Sequence, residues 1–450
     1  MSIFYGKSYY KWIVLTVCIL VYSSGNLVRL NYTGIANYIM GEWNIGKPEL
    51  GVLGSAFFYA YALGQSSWGT LTDLLGGRKV IPIGIGTTVV FIAAFAFADS
   101  FNQAVIIRAL LGFVGAAAFV PCVAVIGRWF GKKERGLAMN LFSGPGGGMG
   151  EIWSFLLLPI MALFMKDGFT ILGVGSWRAA TLVMAVVILC IAILAYIFLR
   201  SDPSEMGLES IQVKEEKKSA KDTNYKSMVL SAIKDPGFWI IVFVWQGFTV
   251  GLRLIPSWLP LYAATFYAQV AGLGKSEAMI AGGAMASAYV AGRIFGPPLV
   301  GKLSDYLLTK YEIPRESLLV VSFTITFGCV YLLTTAFTSP ILLGAVSFIL
   351  GIGINLLSIL NTIIAETWSI KTSGTLNGLI NTITQFIGAS ALTYSGYMAV
   401  QFAVKDGGFN LEYQGIWFLV MISIGISIAA SIYTLYHNKK LKLAQQSIQG

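Results

Sequence analysis

About twelve apolar runs, each long enough to cross a bilayer, follow one another along this chain, and nothing else restricts its fold as sharply. A helical crossing takes about 20 predominantly apolar residues. Hydropathy and length place the runs at roughly 11–40, 49–72, 79–98, 103–130, 136–164 and 176–200, then at 237–268, 277–305, 317–338, 340–368, 374–404 and 412–437. The expected fold class is an all-α membrane protein with twelve transmembrane helices. Only 12% of the residues are charged and 56% are hydrophobic, against about 25% charged in a soluble domain, which excludes a soluble globular fold. The 50 glycines suit the close helix contacts of membrane bundles.

The longest polar stretch, Ser201 to Asp235, contains Lys214-Glu-Glu-Lys-Lys218 and reads as a solvated linker. It divides the chain into a first six-helix bundle at 1–200, a cytoplasmic linker at 201–236 and a second six-helix bundle at 237–450. The formal net charge of +10 does not point to nucleic acid, because the basic residues lie in short connections on one side. That side holds Lys7, Arg78, Lys79, Arg128, Lys132, Lys133, Arg135, the linker lysines, Lys302, Lys310, Arg315, Lys371 and the tail, while the opposite side holds Lys47, Lys166, Lys275 and Lys405. The positive-inside rule then puts both termini and the linker in the cytoplasm of a multi-pass protein of the cell membrane. The first run is too long for a cleavable signal peptide and carries no small-residue cleavage site. Cys18, Cys122, Cys190 and Cys329 fall in apolar runs, without metal-like spacing, and read as packing residues. The halves echo one another: Gly69-Thr-Leu-Thr-Asp73 matches Gly301-Lys-Leu-Ser-Asp305, and Leu111-Gly-Phe-Val-Gly115 matches Leu350-Gly-Ile-Gly-Ile354. A repeat at half-chain spacing belongs to two-bundle transporters.

Two arginines stand inside apolar runs, Arg29 in the first and Arg253 in the seventh. A guanidinium at such depth costs about 2.5–3.5 kcal/mol on insertion scales and cannot shed its proton. It needs a water-filled cavity, a counter-charge or an anion, and one such arginine per half suggests an anion site between the halves. The structural alternative is a guanidinium paired to a carboxylate or to helix carbonyls. Glu151 lies about fifteen residues into the fifth run, near the midplane at 1.5 Å per residue. It is a candidate proton carrier, a counter-ion for an arginine of the empty site, or a neutral buried acid bonded to Trp153 or a backbone carbonyl. Proximity to an arginine decides among these.

Gly69-Thr-Leu-Thr-Asp-Leu-Leu-Gly-Gly-Arg-Lys79 resembles the signature loop between helices two and three of the major facilitator superfamily, and Arg108-Ala-Leu-Leu-Gly112 resembles its fourth-helix signature. The resemblance covers nearly the whole chain. Within it, Leu27-Val-Arg-Leu-Asn31, Leu252-Arg-Leu-Ile-Pro-Ser-Trp258, Asp202-Pro-Ser-Glu-Met-Gly-Leu208, Lys132-Lys-Glu-Arg-Gly136 and the segment from Glu366 to Thr375 are similar to the organophosphate:phosphate antiporter branch. The resemblance implies that Arg29 and Arg253 bind the anionic substrate, with Tyr22 and Asn31 beside the first. Ser55-Ala-Phe-Phe-Tyr-Ala-Tyr-Ala-Leu-Gly-Gln65 resembles instead the second helix of the organic anion:cation symporters. The chain departs from the antiporter pattern at Leu30 and Gln65, where lysines are expected, at Gly146 in place of a histidine, and at Asn26 and Val250 in place of tyrosines. It departs from the symporter pattern at Val28 and Gly115, where acids are expected. The site is thus less cationic than a phosphate-ester site.

Asp73, Arg78, Arg108, Arg128, Arg293 and Asp305 are candidates for gating; ion pairs at the cytoplasmic ends of spans would hold the inward gate shut and part as the bundles rock. Arg293 is also a candidate third cation of the cavity. Gln246, Asn355, Asn361, Asn377, Asn381 and Gln385 are amides within runs, able to bond a hydroxylated substrate or to join helices. Gly144-Pro-Gly-Gly-Gly-Met-Gly150 lacks the lysine and preceding strand of a phosphate loop and reads as a packing segment. No catalytic triad, metal cluster or nucleotide motif stands out, so neither enzyme activity nor a cofactor is expected. The expectation is a secondary active transporter of a small organic anion, a phosphate ester or a carboxylate, working as a monomer in lipid by alternating access. It is driven by anion exchange or by proton symport through Glu151. The alternative is a transporter-like membrane sensor that binds the anion without net transport.

Overall fold

The computed structural model describes the backbone of residues 5–165, 170–209, 230–231, 233–335, 339–354, 356, 359–360, 363–364, 370–403 and 411–449. Apart from one isolated bridge, Ile171 to Val174, the regular structure among these residues is helical. The first half contains α1 (Tyr10–Gly34), α2 (Ala36–Trp43), α3 (Lys47–Leu75), α4 (Gly77–Ala96), α5 (Phe101–Gly115), α6 (Val120–Trp129), α7 (Lys132–Ile152), α8 (Leu158–Phe164) and α9 (Ser176–Phe198). The second contains α10 (Pro236–Val270), α11 (Lys275–Tyr311), α12 (Arg315–Leu333), α13 (Pro340–Ile354), α14 (Ile370–Ala403) and α15 (Leu411–Gln449). Among the described residues nine helices are long and apolar enough to cross a membrane, and Pro340–Ile354 is apolar but shorter. Two of the nine are composite: α5 and α6 run on through a 3-10 turn at Ala116–Ala118, and α7 and α8 through a π-helical turn at Trp153–Leu157.

Local chemistry sets the helix ends. Ser100 caps α5, its side chain accepting from the Gln103 N–H. Glu49 reaches back to the Gly46 N–H at 2.9 Å, and Pro48 stands in the first turn of α3, where its missing donor is harmless. Asn44 closes α2 in the left-handed region, at φ 49°. Asp202 caps the 3-10 turn Pro203–Met206 at the head of the expected linker, of which residues 210–229 and 232 lie outside the described set.

The chain divides into two compact units, one of Met1–Asp222 with Ser257–Ser287 and one of Thr223–Pro256 with Ala288–Gly450. In the first unit, helices meet backbone to backbone. A Cβ at Gly150 would stand 2.0 Å from the Ser23 carbonyl oxygen, and one at Gly112 would stand 2.0 Å from that of Phe57. Only glycine permits these approaches of α7 to α1 and of α5 to α3. In the second unit, a polar seam joins α10 to α15: the Gln246 amide donates to Ser423 O at 2.7 Å and Ser427 Oγ at 3.2 Å, while the Ser427 hydroxyl donates to Phe243 O at 2.8 Å.

Candidate functional site

The close approach at Gly150 delivers the next residue, Glu151, to Arg29. Arg29 Nη2 donates to Glu151 Oε1 at 2.6 Å, across 122 residues of sequence. Arg29 is 6% exposed and Glu151 not at all. Ser154 Oγ, in the turn after α7, donates to Leu27 O at 3.0 Å and Ser23 Oγ to Gly146 O at 2.7 Å, fixing α7 and that turn against α1. Each ion taken out of water costs several kcal/mol, and the pair recovers this only through good geometry; removing one partner from such a pair costs about 3–5 kcal/mol.

Tyr22, Asn26 and Arg29 follow at helical spacing on one face of α1. The Tyr22 ring packs against Phe119 at 5.1 Å and Phe142 at 4.8 Å, which stack on each other at 5.8 Å. The Asn26 amide nitrogen donates to Tyr22 O at 3.0 Å. Asn26 Oδ1 and Arg29 Nε are buried, and neither has a hydrogen-bond partner among the described residues.

Arg108 lies wholly inside the first unit. Its Nη1 donates to Val28 O at 2.9 Å and Asn31 Oδ1 at 3.1 Å, Nη2 to Arg29 O at 3.0 Å and Nε to Leu53 O at 3.2 Å. The guanidinium carbon lies 4.6 Å from the centre of the Tyr32 ring and 4.7 Å from that of Phe57. Arg108 thus clamps the backbone of α1 at the residue that carries Arg29, and makes no ion pair among the described residues. Asn31 has its side-chain oxygen committed to Arg108.

In the second unit Arg253, 3% exposed, meets a neutral group. Its Nε and Nη2 both donate to Gln385 Oε1, at 3.0 and 2.5 Å, and the Gln385 amide donates to Asn381 Oδ1 at 3.3 Å. Arg293 is buried with its guanidinium 5.8 Å from the centre of the Tyr289 ring. Of the gating candidates, Arg128 reaches Asp73 at 3.7 Å and Arg78 reaches Glu205 at 3.3 Å, both within the first unit and partly exposed. Exposed pairs of this kind contribute about 0–1 kcal/mol. The side chain of Asp305, with Asn355 and Asn361, lies outside the described residues.

Sequence reasoning missed the cluster around Glu42. Its carboxylate accepts from Trp177 Nε1 at 2.6 Å and from Arg178 Nη2 at 2.6 Å, while Arg178 Nη1 donates to Ala96 O at 2.8 Å. The cluster joins the ends of α2, α4 and α9. The adjacent Trp177 and Arg178 at a helix start give no hint of an acid 135 residues earlier. Among the described residues no group of three or more His, Cys, Asp or Glu could hold a metal ion.

The profile of the Major Facilitator Superfamily matches residues 14–393. A protein of Escherichia coli (strain K12) described as the probable L-galactonate transporter is 28% identical over 54% of this chain and 52% of its own length. The phosphoglycerate transporter protein of Salmonella typhimurium is 24% identical over 58% of this chain and 57% of its own. The match thus spans about half the length of these curated relatives. A bacterial homologue of the human lysosomal transporter Spinster, solved in an inward-facing and unoccupied conformation, superposes with a TM-score of 0.71 at 17% identity, over 94% of this chain and 96% of that one. At that identity the likeness concerns the fold.

Proposed function

The chain belongs to the Major Facilitator Superfamily, multi-pass membrane carriers rather than enzymes, and from that membership we propose that it is a proton-coupled secondary transporter of a small organic anion, a carboxylate or a phosphate ester. The observation that carries this reading is the Arg29–Glu151 pair, at 2.6 Å and nearly sealed from solvent. A buried ion pair is weak as a stabilising device, since apolar residues of similar volume often do as well. As a switch it is apt. A bidentate carboxylate or phosphate seeks two adjacent donors of one guanidinium. Arg29 offers Nε, but Nη2 is occupied by Glu151. The anion therefore competes with Glu151 for the guanidinium and its charge, and it competes best once Glu151 takes a proton. Proton and anion enter together, and release of one restores the pair that expels the other.

Arg253 is the second proposed ligand. Its partner Gln385 is uncharged, so this contact leaves the guanidinium charge unneutralised. The names of relatives, one a probable L-galactonate transporter and one a phosphoglycerate transporter protein, support an anionic substrate. The remainder of the proposal is twelve transmembrane helices in two six-helix bundles, a cytoplasmic linker and termini, a cell-membrane location, a functional monomer, and alternating access with the charged pairs Asp73–Arg128 and Arg78–Glu205 taking part in the gate.

The test is reconstitution in proteoliposomes with sugar acids, dicarboxylates and phosphate esters as substrates. Wild type accumulates at least one of them against its gradient when the lumen is alkaline. Arg29→Lys or Arg253→Lys keeps the charge but loses the planar fork. Losing one charged hydrogen bond, about 1.5–3 kcal/mol, weakens binding about tenfold or more. Lysine variants that transport like wild type refute the arginine site, and binding without flux refutes transport.

A further inference from the structure

The buried face of α1 beside Arg29 contains an acceptor that no side chain or backbone group of the described residues satisfies. Asn26 is 1% exposed. Its amide nitrogen donates to Tyr22 O at 3.0 Å, which fixes the orientation of the group, because the flipped amide would set oxygen against oxygen. Asn26 Oδ1 is therefore turned away from that carbonyl, and it has no partner among the described residues. One helical turn further, Arg29 Nε is a donor in the same condition. A buried amide oxygen without a donor is rare and calls for a reason. The opposing wall is made of glycines packed on α1: a Cβ at Gly146 would lie 3.3 Å from the Tyr22 ring, one at Gly147 3.9 Å from the Asn26 amide nitrogen and one at Gly150 2.9 Å from Asn26 Cβ, so this wall brings no side-chain donor to Oδ1.

A lone acceptor beside a lone cationic donor matches a ligand that presents a donor beside an anionic acceptor. A hydroxyl on the carbon next to a carboxylate has that arrangement: the carboxylate oxygen accepts from Arg29 Nε–H and the hydroxyl donates to Asn26 Oδ1. The phosphoryl group of a monoester dianion offers acceptors alone, with no hydroxyl on the atom next to it, and would face Oδ1 with a lone pair, as would the carbonyl of a 2-oxo acid. We propose that Asn26 is a further, specificity-determining ligand of the anion and selects 2-hydroxycarboxylates over phosphate esters, 2-oxo acids and deoxy acids. This rests on Arg29 being an anion ligand, the reading given above.

The experiment is calorimetric titration of the full-length protein in detergent with two matched sets, lactate, pyruvate and propionate, and gluconate, 2-ketogluconate and 2-deoxygluconate, together with glycerol 3-phosphate. The hydroxy acid of at least one set should bind about tenfold more tightly than its oxo and deoxy counterparts, the worth of one satisfied buried acceptor. Asn26→Thr and Asn26→Val share a shape, and a threonine hydroxyl can donate to Tyr22 O while accepting from the ligand. Threonine should keep the preference and valine should reduce it to about threefold or less. A valine variant that keeps the full preference overturns the role of Asn26. So does a wild type without preference for the hydroxy acid, one that binds glycerol 3-phosphate most tightly, or one that binds none of the acids. Arg29→Lys separates the two readings: it should weaken every acid alike, and if it weakens none, the Arg29 site itself fails, whatever the hydroxyl preference.

Discussion

Replacing Glu151 by glutamine removes a charge while keeping an oxygen that can accept from Arg29 Nη2 at the observed 2.6 Å. Two effects of opposite sign follow. The empty protein loses stability, because a guanidinium 6% exposed loses its counter-charge; breaking a buried pair outright costs about 3–5 kcal/mol, and the retained hydrogen bond puts the loss near about 3 kcal/mol. The anion, in contrast, should bind more tightly. A hydrogen bond to a charged group contributes about 1.5–3 kcal/mol and is roughly twice as strong as a neutral one. The internal competitor is thus weakened by about 1–1.5 kcal/mol, which is about five- to tenfold in affinity. Uptake driven by an alkaline lumen should be lost. Calorimetry and thermal unfolding with and without anion give these quantities, and the ligand should raise the melting temperature of the variant more than that of wild type. An anion affinity in Glu151→Gln equal to or below wild type at neutral pH, in folded protein, would refute the competition on which the coupling rests.

Gln385→Glu should create the mirror of that competition, giving Arg253 a carboxylate partner and weakening anion binding about tenfold in the same titration. Gly112→Ala sets a Cβ 2.0 Å from Phe57 O where ordinary contact begins near 3.4 Å, so α5 and α3 must part; a loss of about 1–3 kcal/mol or more in denaturant or thermal unfolding is expected, and an unchanged midpoint would show that the seam can yield. Single cysteines introduced between Ser201 and Asp235 should be labelled from the cytoplasmic side, and labelling of intact cells by an impermeant reagent reverses the proposed orientation.

The apolar runs were legible because a bilayer imposes length and composition on any segment that crosses it. The arginines were legible for the same reason: a guanidinium in such a run is costly enough to require a partner. Glu151 was legible as a candidate counter-ion for an arginine, but which arginine it meets was not. Glu151 is 122 residues from Arg29, and what joins them is the glycine at 150, whose meaning depends on a neighbour in space. Arg253 pairing with Gln385, 132 residues on, is hidden in the same way. Arg108 could be recognised as part of a signature and weighed for a gate, but its engagement with three backbone carbonyls leaves no trace in side-chain identities. The Asn26 oxygen was invisible for a further reason: a missing partner can be noticed only when all neighbours are in place.

The π-helical turn at Trp153–Leu157 begins two residues after Glu151. Bonding of i to i+5 there takes up an extra residue, so the helix before the turn and the helix after it are out of phase by about 100°, the rotation of one residue at 3.6 per turn. Deleting any one residue of the turn would restore a regular α-helix and, with Leu158–Phe164 held in place, swing Glu151 by that angle off the face that meets Arg29. Every side chain of the pair would survive and the pair would not. The meeting of acid and base is therefore written partly as a count of residues: alleles that shorten this turn would read as losses of the carboxylate, and a comparison of relatives by residue identity alone, blind to a single gap, would miss them.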